Sequence, residues 1–146
     1  MIVPVDDKNL RAAAEIHAAS WQDSHRAFCS PEFVALHTPE RQAAYLKRKM
    51  EAGARVFMLI ADKPVGVVSI TKNLIEDLYV LPERQRRGFG TALLHFAIGQ
   101  CAGAPTLWIL ENNTDAARLY ERSGFAPTGR RNSITGKLDE IEYARR

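Results

Sequence analysis

Hydrophobic and polar positions repeat along the chain with two periods, one of about two residues and one of about 3.6 residues. The short-period runs are rich in β-branched residues and predict strands at 2–5, 55–61, 65–71, 74–81 and 107–110. The longer period predicts helices from residue 6 or 7 to about 20, from 39 to about 53, from about 89 to 102, and from about 113 to 123. Residues 125–133 and 137–143 predict a closing hairpin around Thr135 and Gly136. The stretch after residue 20 is polar and predicts irregular structure as far as the next helix.

Local signals fix several of these boundaries. Thr38-Pro39-Glu40 combines a helix cap, a proline at the first helical position and an acid in the first turn. Asp62-Lys63-Pro64 separates two strands as a hairpin turn, and Gly124 ends the last helix. The resulting order, β-α-α-β-β-β-α-β-α-β-β, predicts an α/β (α+β) fold. We expect a mixed, mostly antiparallel sheet of six to seven strands with helices on both faces.

Length and charge narrow the class of protein. At 146 residues, 46% of them hydrophobic, the chain suits one domain over residues 1–146. The net charge is +3, but the basic residues are dispersed apart from a cluster at 84–87, so we expect no nucleic-acid partner. No apolar stretch approaches the roughly 20 residues that cross a bilayer, and Asp6 and Asp7 stand where a signal peptide would be cationic. We therefore expect no membrane partner.

The cysteines and histidines give no sign of a metal or redox site. Cys29 and Cys101 lack metal or redox spacing, and the histidines at 17, 25, 37 and 95 show no metal-site pattern. These features favour a reduced, cytoplasmic protein with inert thiols and no metal. The sequence leaves the oligomeric state open, with a homodimer as one alternative.

The segment 85–90 carries the most distinctive chemistry. It reads Gln-Arg-Arg-Gly-Phe-Gly and lies between a predicted strand and a predicted helix. Three arginines (84, 86 and 87) oppose the positive end of the helix dipole, and two glycines let the backbone turn its free N–H groups outward. A bound polyphosphate resolves that conflict, whereas a merely solvated basic turn is the alternative. A dinucleotide fingerprint would need a third glycine, where Leu93 stands, and no Walker lysine follows the glycines.

Two motifs together make the chain resemble the GNAT superfamily of acetyl-coenzyme A-dependent N-acetyltransferases. Residues 85–90 fit the Q/R-x-x-G-x-G/A phosphate loop of that family. Asn113-x-x-Ala116-x-x-Leu119-Tyr120, followed by Gly124-Phe125, fits its second signature. The motifs begin 28 residues apart, at 85 and 113, and are separated by a helix and then a strand. The resemblance covers nearly the whole chain and is firmest over residues 65–125.

The resemblance implies how acetyl-coenzyme A is held. Main-chain N–H groups of residues 86–91 would bind the diphosphate, and the pantetheine arm would run along residues 78–80 like an added strand. The N–H of Val80 would face the thioester carbonyl. Asn113 would bind the pantetheine, cap the following helix, or do both. The implied cofactor-binding residues are Leu78, Tyr79, Val80, Gln85, Arg86, Arg87, Gly88, Phe89, Gly90, Thr91 and Asn113.

The resemblance also assigns two catalytic roles. Tyr120 would donate a proton to the departing thiolate, the alternative being a core tyrosine behind Leu119. An amine near pKa 10.4 needs help to expose its lone pair at pH 7, so a base should lie nearby. We take Glu76 as the first choice, because strand alternation would put it on the side of Leu78 and Val80 and leave Asp77 on the other. Glu111 is the second choice, and a solvated surface role remains the alternative for each acid.

The acceptor pocket is expected from the first helix and the segment after it. Trp21, His25 and Phe28 are candidate wall residues, with core packing as the alternative. The implied function is transfer of an acetyl group to a primary amine of a small molecule, by direct attack without a covalent enzyme intermediate. A protein N-terminal or lysine acetyltransferase remains open. A non-catalytic acyl-coenzyme A-binding module is the alternative of a different class.

Overall fold

Seven strands form one continuous sheet in the computed structural model, which describes residues 1–134 and 138–146. The strands are β1 (Ile2–Pro4), β2 (Arg55–Ile60), β3 (Pro64–Thr71), β4 (Leu74–Val80), β5 (Thr106–Leu110), β6 (Phe125–Ser133) and β7 (Asp139–Arg145). The helices are α1 (Leu10–His25), α2 (Pro31–Ala35), α3 (Pro39–Glu51), α4 (Phe89–Gln100) and α5 (Thr114–Arg122), with a short 3-10 turn at Pro82–Arg84. The strand order is β1-β2-β3-β4-β5-β7-β6, and only β4 and β5 pair in parallel within the described residues. The predicted mixed sheet is confirmed.

Two hydrophobic clusters cover the two faces of the sheet. On one face, Val67 of β3 packs in the cluster that holds Ile16 of α1 and Leu46 of α3. On the other, Val68 of β3 packs in the cluster that holds Leu93 of α4 and residues of α5. This alternation along β3 follows from the two-residue period of a strand and explains why nearly all of that strand is apolar and buried. Helices therefore lie on both faces, as expected.

The structure corrects three boundaries. Helix α1 starts at Leu10, after the start predicted at residue 6 or 7, and it continues to His25, beyond the predicted end near residue 20. The segment expected to be irregular contains α2, whose start is capped by the Ser30 hydroxyl accepting from the Phe33 N–H, with Pro31 at the first helical position. That helix has five residues, too few to show a hydrophobic period, although Ser30-Pro31 repeats the start signal of Thr38-Pro39. Strands β6 and β7 pair as the predicted hairpin, whereas its proposed turn at Thr135 and Gly136 lies outside the described residues.

In the described part of the chain, no helix is both long and apolar enough to cross a membrane.

Candidate active site

A cleft opens where the parallel strands β4 and β5 separate. Among the described residues, Leu74 opposite Thr106 is the single aligned pair between these strands. The rest of β4 therefore has its far edge free of β5. The N–H of Leu81 donates to the Val65 carbonyl of β3 at 2.9 Å. Because such bonds alternate along an antiparallel strand, the N–H of Val80 points the other way, into the cleft.

A β-bulge in β4 changes which side chains face which side. Ser69 pairs with Glu76 and Val67 pairs with Tyr79, so β4 carries one extra residue between these pairs. The backbone of Asp77 absorbs the insertion with a φ of 53°, in the left-handed region. Glu76 and Tyr79 consequently share the face of α1 and α3. The expectation that Glu76 lies on the side of Leu78 and Val80 is wrong, because one inserted residue reverses the alternation.

The loop before α4 presents a concave row of main-chain donors. Arg86 and Gly88 both have positive φ, 63° and 85°, on either side of Arg87. Helix α4 starts at Phe89 without a side-chain cap and without an acid in its first turn. In the part of the chain that the structure describes, the N–H groups of residues 86–91 have no hydrogen-bond acceptor. Such alternating backbone conformations at a helix N-terminus form an anion-binding nest.

The three arginines near this loop have different surroundings. Arg84 binds Asp62 at 2.9 Å and Arg86 binds Asp115 at 2.9 Å. Arg87 has no acidic partner among the described residues. A local positive charge therefore remains beside the nest.

Helix α5 meets the loop and the end of β4. A Cβ built on Gly90 would lie 3.7 Å from Leu119 Cδ2 and 4.0 Å from Val80 Cγ2. Asn113 caps α5, since its Oδ1 accepts from the Ala116 N–H at 3.1 Å. The capping interpretation is thus confirmed, while a pantetheine contact remains a prediction.

Tyr120 follows Leu119 and is buried. Its ring contacts Phe125 edge to face with centroids 5.9 Å apart. Burial raises the pKa of Tyr120 to about 12. Within residues 1–134 and 138–146, its hydroxyl has no hydrogen-bond partner. A buried phenol that keeps its proton and has no partner is suited to donate to a bound group.

A cavity of about 230 Å³ lies on the other side of β4, between that strand and α1 to α3. At the end of β4, the Ser20 hydroxyl of α1 donates to the Val80 carbonyl at 3.1 Å and joins the two elements that flank this cavity. We call this cavity the acceptor pocket. It is lined by His17, Trp21, His37, Arg41, Gln42, Tyr45, Arg48, Asp77 and Tyr79.

Asp77 anchors the floor of the acceptor pocket through four donors. Lys49 Nζ lies at 2.8 Å, Ser69 Oγ at 2.9 Å, and His17 Nε2 and Tyr45 Oη at 3.1 Å. Burial alone would raise the pKa of Asp77, but the hydrogen bond from His17 and the charge of Lys49 outweigh it and hold that pKa well below its usual range. Asp77 is therefore a fixed anion, which explains how a residue with positive φ is stabilised here.

Comparison with known proteins identifies the family that these features suggest. Residues 52–127, just over half of the chain, match the model of the acetyltransferase (GNAT) domain. The chain belongs to the GNAT acetyltransferase family. The matched GNAT segment contains the cleft, the loop and α5, whereas α1, α2 and α3 precede it.

Curated relatives match part of the GNAT chain. A segment of 80 residues is 32% identical to the peptidyl-lysine N-acetyltransferase YjaB of Salmonella typhimurium and covers 55% of this chain and 54% of that protein. A segment of 69 residues is 41% identical to the UPF0157 protein YqkA of Bacillus subtilis and covers 43% of this chain and 20% of that protein. The alignments thus span about half of the first relative and a fifth of the second.

Solved structures match the fold over nearly the full length. The PaiA N-acetyltransferase of Thermoplasma acidophilum, solved in complex with coenzyme A, gives a TM-score of 0.71 at 18% identity, covering 97% of this chain and 96% of that one. The histone acetyltransferase HPA2 and related acetyltransferase of Corynebacterium glutamicum gives a TM-score of 0.77 at 15% identity, covering 99% and 94%. Both comparisons support the GNAT fold.

The residues predicted for acceptor binding lie close together but have different positions. Trp21 lines the acceptor pocket. His25 stacks on Trp21 with ring centroids 3.9 Å apart, and Phe28 lies 5.2 Å from His25. His25 and Phe28 therefore support Trp21 from behind, outside the pocket lining.

Sequence reasoning missed His37, which stacks on Trp21 at 3.4 Å and lines the pocket. Its Nδ1 lies 3.1 Å from the Phe33 carbonyl, so Nδ1 carries the proton and Nε2 carries a lone pair. Burial lowers the pKa of His37, partly opposed by that hydrogen bond. The signal that could have found His37 is its place between α2 and the cap of α3, in the segment expected to be irregular.

The two carboxylates proposed as the base are both engaged. Glu76 accepts from Lys49 Nζ at 2.8 Å and is part-exposed. Glu111 accepts from Arg131, which also binds Asp139 at the start of β7. Both carboxylates therefore already have a cationic partner in this structure.

Proposed function

We propose that this GNAT domain, with residues 1–146 acting as one unit, transfers the acetyl group of acetyl-coenzyme A to a primary amine of a small molecule. One observation carries the proposal. Within the described residues, the main-chain donors of residues 86–91 have no acceptor, and the loop that carries them adjoins both the end of β4 and α5, the helix of Tyr120. The main-chain donors suit a diphosphate, the free strand edge suits an extended pantetheine arm, and the phenol suits a departing thiolate.

The residues present fit the carrier. The nest at residues 86–91 and the charge of Arg87 would hold the diphosphate. The open edge of β4, formed by Leu78, Tyr79 and Val80, offers main-chain groups to the pantetheine amides. The Asn113 side-chain amide also has donors to spare beside its capping bond.

The chemistry of the site follows from the same groups. Bound acetyl-coenzyme A supplies an activated acetyl thioester for direct attack by an amine. The Val80 N–H, aimed into the cleft, is placed to stabilise negative charge on the carbonyl oxygen. Tyr120, with its pKa raised to about 12, stays protonated at pH 7 and can donate to the departing sulfur.

Two residues are candidates for the base that removes a proton from the acceptor amine. Glu76 was favoured on strand alternation, but that alternation is broken and Lys49 occupies the carboxylate. His37 lines the acceptor pocket, and its lowered pKa leaves Nε2 unprotonated at pH 7. We therefore assign the base role to His37 ahead of Glu76.

A lysine side chain of a protein is the second candidate acceptor. The relative YjaB is named a peptidyl-lysine N-acetyltransferase, and it is 32% identical over the aligned 80 residues. The size of the acceptor pocket, about 230 Å³, favours a small molecule. A carrier-binding module without transfer would keep the nest but would not need an unpartnered phenol beside it.

Thermal unfolding with acetyl-coenzyme A and release of free thiol across an amine panel test the proposal. A ligand at 100 times its dissociation constant adds about 2.7 kcal/mol to the free energy of unfolding. Stabilisation together with amine-dependent thiol release is the expected result. Stabilisation without thiol release would instead indicate the binding module, and lysine peptides outperforming every small amine would favour the second candidate.

A further inference from the structure

Two arginines of α3 line the acceptor pocket without an acidic partner. Arg41 and Arg48 are seven residues apart, so they lie on one face of the helix, about 10 Å apart along its axis. Neither guanidinium pairs with a carboxylate anywhere in residues 1–134 and 138–146. After burial, the positive charge of Arg41 also contributes to lowering the pKa of His37, so this guanidinium acts on the pocket.

The acids nearby do not neutralise these two charges. Asp77 is saturated by four donors, one of which is the Lys49 ammonium. Glu76 binds the same ammonium. The acceptor pocket therefore keeps two uncompensated guanidinium groups at its rim, above a floor whose carboxylate already has its counter-charge. Such a pocket favours a ligand that brings its own anion.

We propose that the acceptor is a small zwitterion of the amino-acid class, whose carboxylate is bound by Arg41 and Arg48. The assignment of the reacting amine rests on the proposed acetyl transfer. Guanidinium groups bind carboxylates in a bidentate manner, which would orient the neighbouring amine towards the end of β4. Nearby cations also disfavour the ammonium form of that amine, which helps it to reach the neutral state needed for attack.

The walls of the pocket are consistent with this class of acceptor. Trp21 and His37 form a stacked, flat surface with centroids 3.4 Å apart, and the aromatic ring of Tyr45 also lines the pocket. The volume of about 230 Å³ lies below the roughly 300–1,000 Å³ of pockets for drug-sized ligands. One amino acid with a flat or apolar side chain matches such a space.

The test compares the twenty standard amino acids with their carboxamides as acceptors. The carboxamide keeps the amine and the side chain but lacks the anion. Wild-type protein should prefer at least one acid over its carboxamide by about 10-fold or more in kcat/KM. Arg41→Gln/Arg48→Gln should raise the KM for that acid about 10- to 100-fold, as expected for lost charge-assisted bonds, and leave the KM for acetyl-coenzyme A unchanged. Lys47→Gln removes a cation from the same helix outside the pocket lining and should change neither constant.

Titration calorimetry of the same acids into coenzyme A-saturated protein separates this inference from the proposed reaction. Binding of an acid but not its carboxamide, lost in the double arginine variant, supports the inference even if no amine is acetylated. Equal use or equal binding of acids and carboxamides would overturn it. So would an unchanged KM in the double variant, or a lysine peptide with neutral flanks that is accepted better than any amino acid.

Discussion

Tyr120 is a phenol whose proton is held by burial alone. Its pKa is raised to about 12, and no hydrogen bond within the described residues competes for the hydroxyl. Leu119, which precedes Tyr120 in α5, packs beside Gly90 at the start of α4. No group among the described residues therefore competes with a bound ligand for this hydroxyl.

Replacement of this phenol separates chemistry from binding. Tyr120→Phe should lower kcat by about 100-fold, since general-acid groups contribute about 10²–10⁴-fold, while the dissociation constant for acetyl-coenzyme A should change little. Tyr143→Phe, which removes the hydroxyl of another buried tyrosine, on β7, should leave kcat nearly unchanged. Steady-state kinetics and calorimetry measure both quantities. Unaltered turnover in Tyr120→Phe would remove the residue from the donor role.

If His37 is the base, the profile of kcat/KM against pH should have a limb that falls on the acid side. Burial lowers its pKa below 6.5, so the imidazole is neutral and basic above that lowered value and loses its lone pair to a proton below it. The kcat/KM should therefore fall as the pH decreases through that lowered pKa. His37→Gln should lower kcat/KM near pH 7.5 and remove this limb. If Glu76→Gln removes the limb and His37→Gln keeps it, the base is Glu76.

At the scale of the element, the bulge in β4 organises both sides of the site. One extra residue turns Glu76 and Tyr79 towards α1 and α3, while Leu78 and Val80 stay on the side of α4. The same insertion accompanies the separation of β4 from β5, which exposes the edge for an extended arm. The acceptor pocket and the cleft thus share one strand.

The network around Asp77 holds this bulge. Asp77→Ala removes the more buried of the two acids of Lys49, leaves Tyr45, His17 and Ser69 without their shared acceptor, and keeps a φ that alanine tolerates poorly. We expect the free energy of unfolding to fall by about 3 kcal/mol, as for other broken buried ion pairs. Urea unfolding measures this change. Asp62→Ala, which breaks the exposed pair with Arg84, should have little effect, and equal losses in the two variants would contradict the account.

Much of the element order could be predicted because its signals are local. Thr38-Pro39 marks the start of α3 and Gly124 follows the end of α5, and both follow from backbone preferences that need no tertiary contact. The bulge could not be predicted, since an insertion in one strand is defined by its partner. For the same reason the face of the sheet predicted for Glu76 was wrong. The contact of His37 with Trp21 depends on tertiary packing, so the sequence did not indicate it.

At the scale of the whole molecule, the two halves of the proposed reaction come from different parts of the chain. The matched GNAT segment, residues 52–127, supplies the nest, the open strand edge and Tyr120. The chain before that segment supplies most of the acceptor pocket: Trp21 lies in α1, His37 between α2 and α3, and the two pocket arginines in α3. The sequence motifs therefore predicted the residues proposed to bind acetyl-coenzyme A in some detail. Most residues of the acceptor pocket could be named only from the tertiary structure.

Calorimetric titration of acetyl-coenzyme A into two glycine variants tests the central claim most directly. Gly88 and Gly53 both have positive φ, 85° and 108°, and an added Cβ would meet nothing within 4 Å at either position. Aspartate should therefore cost similar backbone strain at both, but only at position 88 does it bring a negative charge into the nest. We predict that Gly88→Asp weakens binding at least about 100-fold, as for the loss of several charge-assisted bonds, while Gly53→Asp binds like the wild type. Retained affinity in Gly88→Asp, or no binding heat in the wild type, would contradict the account.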